Sequence, residues 1–131
     1  MTEKIRVLLI EDSPEDAKFT AIQLKQSFGN DYQLDTCDYF SKASELLSKN
    51  TFDIIILDLC LPDAKGLNAF KDLLNSSRTP VIIYTGLKDE LIKSEATKAG
   101  ASDYLIKGET NSAAFRESII TSLEKAQYQQ D

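Results

Sequence analysis

The segment IIILDLCLPDAKGL (residues 54–67) contains the pattern that decides the fold. Three isoleucines and a leucine run into Asp58, and a proline and a glycine follow. An uninterrupted apolar run bounded by turn residues is typical of a strand buried on both faces, as the inner strands of a parallel sheet are. The segment therefore predicts an inner strand whose C-terminal end presents the carboxylate of Asp58.

Strand-like and helix-like segments alternate on both sides of this run. The predicted strands cover residues 5–10, 32–39, 52–57, 81–85 and 103–107, and the predicted helices cover about 14–28, 41–50, 67–76, 88–99 and 112–127. Such alternation implies right-handed crossovers and one parallel sheet with helices on both faces. The first, third and fourth strands are continuously apolar and should be central, whereas the polar second and short fifth should be edges. We expect an α/β, flavodoxin-like doubly wound fold with strand order 2-1-3-4-5.

Length and composition indicate one globular domain, residues 1–131. Of these residues, 42% are hydrophobic and 27% are charged, which is ordinary for a soluble protein. No apolar stretch approaches the ~20 residues of a membrane span. The N-terminus MTEKIRVLL lacks the apolar length of a secretory signal. We therefore expect a cytoplasmic protein without membrane insertion.

Charge and residue usage exclude several function classes. The net charge is −6 with no basic cluster, which argues against direct nucleic-acid binding. Cys37 and Cys60 fit no metal-site spacing, and we expect both to be reduced. The sequence contains no histidine, which excludes His-based catalytic triads and a phosphohistidine of the protein's own.

Polar residues gather at one rim of the predicted sheet. In a doubly wound sheet, ligands bind at the C-terminal strand ends, near the switch point between the first and third strands. Glu11 and Asp12 follow the first strand, Asp58 follows the third, Thr85 ends the fourth and Lys107 ends the fifth. Three carboxylates, a hydroxyl and an ammonium should therefore meet at this rim.

The chemistry of these groups predicts a metal-assisted phosphoryl transfer. Carboxylates about 4 Å apart repel by roughly 4 kcal/mol at an effective dielectric constant near 20. A hard divalent cation removes this conflict, and two or three carboxylates with waters suit Mg²⁺ better than Ca²⁺. Beside Mg²⁺ and Lys107, the Asp58 carboxylate can attack phosphorus, and Thr85 can hydrogen-bond a phosphoryl oxygen.

These residues resemble the receiver domain of two-component response regulators over about residues 4–126. The resemblance matches the acidic pair to Glu11 and Asp12, the phosphoacceptor to Asp58, the switch hydroxyl to Thr85 in YTG and the lysine to Lys107 in DYLIK. It further implies Tyr104 as the switch aromatic residue, and the backbone carbonyl of Cys60 as a metal ligand for Mg²⁺ or Mn²⁺. One of these motifs alone would be weak evidence for the family, but five of them at the correct strand ends and in the correct order are specific to it.

Two residues depart from the family pattern. Gly108 stands where the family usually follows its lysine with a proline in a cis peptide. A cis bond before a non-proline residue costs about 3 kcal/mol, so we expect a trans bond and a different loop after the fifth strand. Glu11 is one methylene longer than aspartate, and both acids occur at this place in receiver sequences. The Gly108 departure concerns the geometry of the output surface more than phosphorylation, and the Glu11 departure is minor.

The resemblance implies a phosphorylation-dependent signalling switch rather than a turnover enzyme. A sensor histidine kinase or phosphotransfer protein would donate a phosphoryl group from its phosphohistidine to Asp58. Thr85 and Tyr104 would then change the surface of the fourth helix, fifth strand and fifth helix, which a downstream protein would recognise. We expect a monomer or weak dimer. The sequence leaves open the kinase, the target, and whether the chain is a stand-alone switch or part of a longer protein.

Two alternatives use the same fold without this switch. A pseudo-receiver would bind proteins independently of phosphorylation, although the intact acidic pair, Asp58 and Lys107 argue against it. A small enzyme is the other alternative. Phosphatases with an aspartate nucleophile typically carry a second aspartate two residues later, where Cys60 stands here. A flavin carrier would need a phosphate-binding loop in place of the acidic EDSPED (residues 11–16).

Overall fold

The computed structural model describes residues 4–60 and 67–130, with side chains up to residue 127. Strands and helices alternate as predicted. The strands are β1 (Ile5–Ile10), β2 (Tyr32–Cys37), β3 (Ile54–Leu57), β4 (Val81–Thr85) and β5 (Asp103–Ile106), and the helices are α1 (Pro14–Phe28), α2 (Phe40–Lys49), α3 (Leu67–Ser76), α4 (Glu90–Ala99) and α5 (Ser112–Gln130). The predicted Pro62–Gly66 loop lies outside the described residues.

The five strands form one parallel sheet in the order β2-β1-β3-β4-β5. Every residue of β3 and β4 is buried, whereas β2 exposes alternate residues near its start and β5 is half-buried. The continuously apolar strands are therefore central and the polar strand is an edge, because only an inner strand is covered on both faces. The predicted doubly wound α/β fold is confirmed.

Helices cover both faces of the sheet, and alternate strand residues divide the core between them. On one face, Leu24 of α1 and Phe115 of α5 pack against the sheet. On the other face, Ala43 of α2, Phe70 of α3 and Ala96 of α4 do so. Fully burying one large apolar side chain stabilises by about 1.5–3 kcal/mol, so these clusters hold the rim of the sheet in place. Among the described residues, no helix has the length and apolar character needed to cross a membrane.

Element boundaries differ from the predicted ones by one to three residues, and local hydrogen bonds explain two of the differences. β3 begins at Ile54 rather than 52, where the Asp53 carboxylate accepts a hydrogen bond from the Arg6 N–H at 2.8 Å. α4 begins at Glu90 rather than 88 because Asp89 is its N-cap. The remaining differences are that β2 ends at 37, α2 covers 40–49, β5 ends at 106 and α5 continues to 130.

The cap of α4 gives a stability prediction. Oδ1 of Asp89 accepts hydrogen bonds from the N–H groups of Leu91 at 3.0 Å and Ile92 at 3.2 Å. We expect Asp89→Ala to lower the free energy of unfolding by about 1 kcal/mol, because two N–H groups lose their acceptor. Urea unfolding followed by far-UV circular dichroism measures the change. Asp89→Asn keeps the acceptor and serves as the control; equal losses in both variants would contradict the capping role.

Candidate functional site

The C-terminal ends of β1, β3, β4 and β5 surround a cleft of about 480 Å³. It lies at the switch point of the sheet, where a doubly wound fold binds its ligand. Six of the seven predicted site residues line the cleft: Glu11, Asp12, Asp58, Cys60, Thr85 and Lys107. Two further cavities of about 510 Å³ lie where the strands begin and contain none of the predicted site residues. The structure therefore brings the predicted rim residues into one cleft.

Lys107 is the centre of the cleft and contacts three carboxylates. Its Nζ donates to Oδ2 of Asp58 at 2.9 Å, to Oδ2 of Asp16 at 3.0 Å, and to Oε1 of Glu11. Burial alone would lower the pKa of Lys107, but these hydrogen bonds outweigh it and raise the pKa above its usual range. All three N–H donors have a partner, so the ammonium stays charged and fixed at neutral pH.

The two buried carboxylates, Glu11 and Asp58, have pKa values shifted in opposite directions. Burial raises the pKa of Glu11 to about 7, and the nearby negative charge of Asp58 adds to the rise. Burial acts in the same direction on Asp58, but hydrogen bonds with Glu11 and Lys107 outweigh it and lower its pKa below the usual value. At neutral pH Asp58 is therefore an anion, and Glu11 holds a proton part of the time.

The structure adds Asp16 to the predicted acidic group. One carboxylate oxygen each of Glu11, Asp16 and Asp58 lie within 4.8 Å of one another. The exposed Asp12 lines the same cleft but does not belong to this trio. Asp16 is not among the site residues predicted from the sequence, because an acidic residue in a first helical turn is explained by the helix dipole alone. The cap by Ser13, whose Oγ accepts from the Asp16 N–H at 3.3 Å, places the first turn of α1 directly over the rim.

Thr85 and Tyr104 are connected through the backbone of Leu87. The fully buried Thr85 accepts a hydrogen bond at Oγ1 from the Leu87 N–H at 3.3 Å. The Tyr104 hydroxyl donates to the Leu87 carbonyl at 2.7 Å, and burial raises the pKa of Tyr104, so the phenol stays protonated. Tyr104 is buried beside the cleft rather than lining it. A displacement of the Thr85 hydroxyl would therefore reach Tyr104 through one residue.

Cys60 contributes its backbone to the site. Its N–H donates to Oδ1 of Asp58 at 3.3 Å, which fixes the carboxylate oxygen that Lys107 does not hold. Burial raises the pKa of the Cys60 thiol, so the thiol is neutral at pH 7. Neither Cys60 nor Cys37 is joined in a disulfide, as expected from the sequence. The role of the Cys60 carbonyl as a metal ligand stays a prediction.

Gly108 follows Lys107 in the loop after β5. The described residues contain no cis peptide bond, so the expected trans bond between Lys107 and Gly108 is confirmed. Gly108 has φ +85°, a backbone conformation that favours glycine. The Lys107 N–H donates to the Thr85 carbonyl at 2.9 Å, so the lysine backbone still follows the edge of β4.

Comparison with known proteins places these features in a family. The profile of the response regulator receiver domain matches residues 7–127. The response regulator ArlR of Staphylococcus saprophyticus is 33% identical over 103 residues, covering 78% of this chain and 45% of the relative. ArlR of Staphylococcus aureus is 32% identical over the same length and with the same coverage. The chain thus spans about half the length of the curated relatives it matches.

Solved structures agree with the family profile. The signal receiver domain of a Luxo repressor protein from Vibrio parahaemolyticus has a TM-score of 0.84 at 27% identity, covering 97% of this chain and 95% of that one. The BeF3-activated receiver domain of Klebsiella pneumoniae RstA has a TM-score of 0.80 at 24% identity, covering 90% and 97%. The latter likeness concerns the fold alone. Because the profile covers almost the whole chain and the fold agrees, this chain belongs to the response regulator receiver domain family.

Proposed function

We propose that this domain accepts a phosphoryl group on Asp58 and uses it to change its protein-binding surface. The donor is a phosphohistidine of a sensor histidine kinase or phosphotransfer protein, since the chain has no histidine. The observation that carries the proposal is the contact of Asp58 with Lys107 at 2.9 Å, at the floor of a cleft open to a donor. A buried carboxylate with its own fixed cation is suited to attack phosphorus.

The acidic residues fit a hard divalent cation. Glu11, Asp12 and Asp58, with the carbonyl of Cys60, would hold Mg²⁺ or Mn²⁺, because all of these groups offer oxygen ligands. The carboxylate oxygens of Glu11 and Asp58 already lie within 4.8 Å of each other. When bound, the cation would supply positive charge beside the oxygens of the transferring phosphoryl group.

The residues of the cleft divide the chemistry between them. An oxygen of Asp58 attacks phosphorus; the new O–P bond forms as the P–N bond to the donor imidazole breaks, and its electron pair returns to the imidazole. The lowered pKa of Asp58 keeps this oxygen anionic at neutral pH. Lys107 remains protonated and neutralises charge on the phosphoryl oxygens. Thr85 then donates its hydroxyl hydrogen to the product.

The product would change the surface through Thr85. A phosphoryl group adds about −1.5 to −2 charges by analogy with other phospho-residues, which attracts nearby donors. Reorientation of the Thr85 hydroxyl would weaken its 3.3 Å bond with the Leu87 N–H and so affect the Tyr104 hydroxyl bonded to the Leu87 carbonyl. The surface of α4, β5 and α5, which exposes Leu91, would then differ between the two states for a downstream protein.

Intact-protein mass spectrometry after incubation with a small-molecule phosphodonor tests the proposal. We expect the wild-type chain to gain one phosphoryl group when Mg²⁺ is present and none in EDTA. Asp58→Asn should gain none, because the amide is not a nucleophile of this kind. Asp35→Asn, at an exposed position on β2, is the matched control and should react like the wild type. No gain by the wild type under any condition would instead support a phosphorylation-independent pseudo-receiver.

A further inference from the structure

Gln23 of α1 is a buried amide outside the cleft, and its two ends contact two other parts of the chain. It is 3% exposed. Its Nε2 donates to the carbonyl of Thr110 at 3.1 Å, and its Oε1 accepts from the hydroxyl of Tyr84. Tyr84 belongs to β4, and Thr110 lies between β5 and α5. One side chain therefore joins a helix, a strand and a loop.

The two partners fix the orientation of this amide. A backbone carbonyl only accepts hydrogen bonds, so the NH₂ group of Gln23 must face Thr110. Burial raises the pKa of Tyr84, so its phenol is protonated and can donate to the remaining oxygen. A reversed amide would place two acceptors against each other. The donor to Thr110 is therefore held in one place, and water competes little for it.

The loop that Gln23 contacts is the one that carries Lys107. Residues 108–111 connect Lys107 to α5. A Cβ at Gly108 would meet no atom within 4 Å, so side-chain packing does not confine the loop at this position. Two hydrogen bonds tie this loop back to the carbonyl of Ile106: the N–H of Glu109 donates to it at 3.1 Å, and the hydroxyl of Thr110 donates to it at 2.9 Å. The backbone carbonyl of Thr110 is bound by α1, through Gln23.

Other contacts of α1 with this region are made with α5 rather than with the loop, and the hydroxyl of Ser27 donates to the carbonyl of Ser112 at 3.3 Å. Ser112 donates through Oγ to Gln26 at 2.6 Å, on an exposed part of the interface, and Arg116 donates to the Ser27 carbonyl at 3.2 Å, also exposed. Exposed hydrogen bonds contribute less because water replaces them readily. The bond from the buried Gln23 side chain is the contact by which α1 holds the loop at Thr110.

We propose that Gln23 is a positioning residue for Lys107: by anchoring the Thr110 carbonyl to α1, it holds the loop that keeps the ammonium beside Asp58. This inference rests on the proposed function, in which Lys107 acts on the phosphoryl group. α1 also supplies Asp16, which contacts the ammonium at 3.0 Å. The same helix thus restrains the loop at Lys107 and again at Thr110.

The test compares Gln23→Met with Tyr84→Phe. Methionine has nearly the length of glutamine but cannot donate to Thr110, whereas Tyr84→Phe removes only the phenol and leaves that donor in place. For Gln23→Met we expect amide hydrogen exchange at Lys107 and Glu109 to accelerate, and the phosphorylation rate at saturating Mg²⁺ to fall, each by about tenfold. Tyr84→Phe should change both by less than about twofold, since the loop contact remains.

Two further measurements separate positioning from general destabilisation. The Mg²⁺ affinity of Gln23→Met should stay within about twofold of the wild type, because the predicted ligands lie at the ends of β1 and β3 rather than on the loop. Leu24→Ala, which opens a cavity one residue away, should lose stability without faster exchange at Lys107. Wild-type behaviour of Gln23→Met, or the same changes in Leu24→Ala, would overturn the proposal.

The exchange measurement does not depend on phosphorylation. A wild-type chain that takes up no phosphoryl group would refute the proposed function. The comparison of amide exchange between Gln23→Met and Tyr84→Phe would still decide whether Gln23 holds the loop. Faster exchange in Gln23→Met alone supports the positioning role, and equal exchange in both variants refutes it.

Discussion

Replacing Lys107 with methionine should slow phosphoryl transfer to Asp58 by about 10²- to 10³-fold, the usual effect of removing one fixed donor from a charged transition state. The Lys107 ammonium lies 2.9 Å from Oδ2 of Asp58, and its raised pKa keeps it charged throughout the neutral range. Methionine has a similar length but no charge. The rate of phosphoryl gain, measured by mass spectrometry at saturating Mg²⁺, gives the effect. A rate within about threefold of the wild type would contradict the role of Lys107.

The same substitution should destabilise the chain in EDTA. It leaves Glu11, Asp16 and Asp58 within 4.8 Å of one another without their shared cation. Breaking a buried pair in this way costs about 3–5 kcal/mol, and Mg²⁺ should restore part of the loss. Lys88→Met is the control: Lys88 pairs with Glu109 at 3.2 Å but is 68% exposed, so its removal should cost less than about 1 kcal/mol.

Glu11 should make the metal-free protein less stable as the pH rises toward neutrality. Its pKa is about 7 in the folded chain against an ordinary value of 4.5, because burial disfavours the charged form. Between pH 4.5 and 7, the Glu11 carboxyl is therefore mostly protonated in the folded chain and mostly ionised in the unfolded chain. The free energy of unfolding should therefore fall by about 1.4 kcal/mol per pH unit over this window, roughly 3 kcal/mol in all.

Asp58 and Lys107 also have shifted pKa values, but they change their charge outside the range between pH 4.5 and 7. The lowered pKa of Asp58 contributes stability that is complete above about pH 4 and is lost at lower pH. The raised pKa of Lys107 contributes stability that is complete below about pH 10 and is lost at higher pH. The slope between pH 5 and 7 therefore belongs to Glu11.

Thermal or urea unfolding at pH 5, 6, 7 and 8 in EDTA measures this slope. Glu11→Gln should remove it, since the amide has no proton to release. Mg²⁺ should stabilise the wild type more at pH 8 than at pH 6, because a bound cation favours the deprotonated carboxylate. Equal slopes for the wild type and Glu11→Gln would show that burial does not shift this carboxyl as described.

Much of this architecture was predictable because it depends on local pattern. The apolar run of β3 and the apolar β4 specify inner strands of a parallel sheet, and chain order then specifies which strand ends meet. Glu11, Asp58, Thr85 and Lys107 each follow or end a strand of this sheet, so the sheet alone brings them together. Their shared cleft of about 480 Å³ follows from the topology.

The features that escaped prediction depend on contacts between distant residues. An acidic residue such as Asp16 in a first helical turn is explained by the helix dipole alone, so nothing in the sequence separates it from a residue that reaches Lys107. Gln23 lies 87 positions from Thr110, and no periodicity links them. The boundary of α4 depended on which of several polar residues caps it, a choice that Asp89 makes through hydrogen bonds at 3.0 and 3.2 Å.

The central claim is that Asp58 accepts the phosphoryl group, and the most direct test is to locate that group on the chain. Borohydride reduction converts an aspartyl phosphate to homoserine, and tandem mass spectrometry of the resulting peptides locates it. After incubation of the wild-type chain with phosphodonor and Mg²⁺, we expect homoserine at position 58 alone. Homoserine at Asp12 or Asp16, or a phosphoryl group on another residue with Asp58 unmodified, would contradict the assignment of Asp58 as the phosphoacceptor.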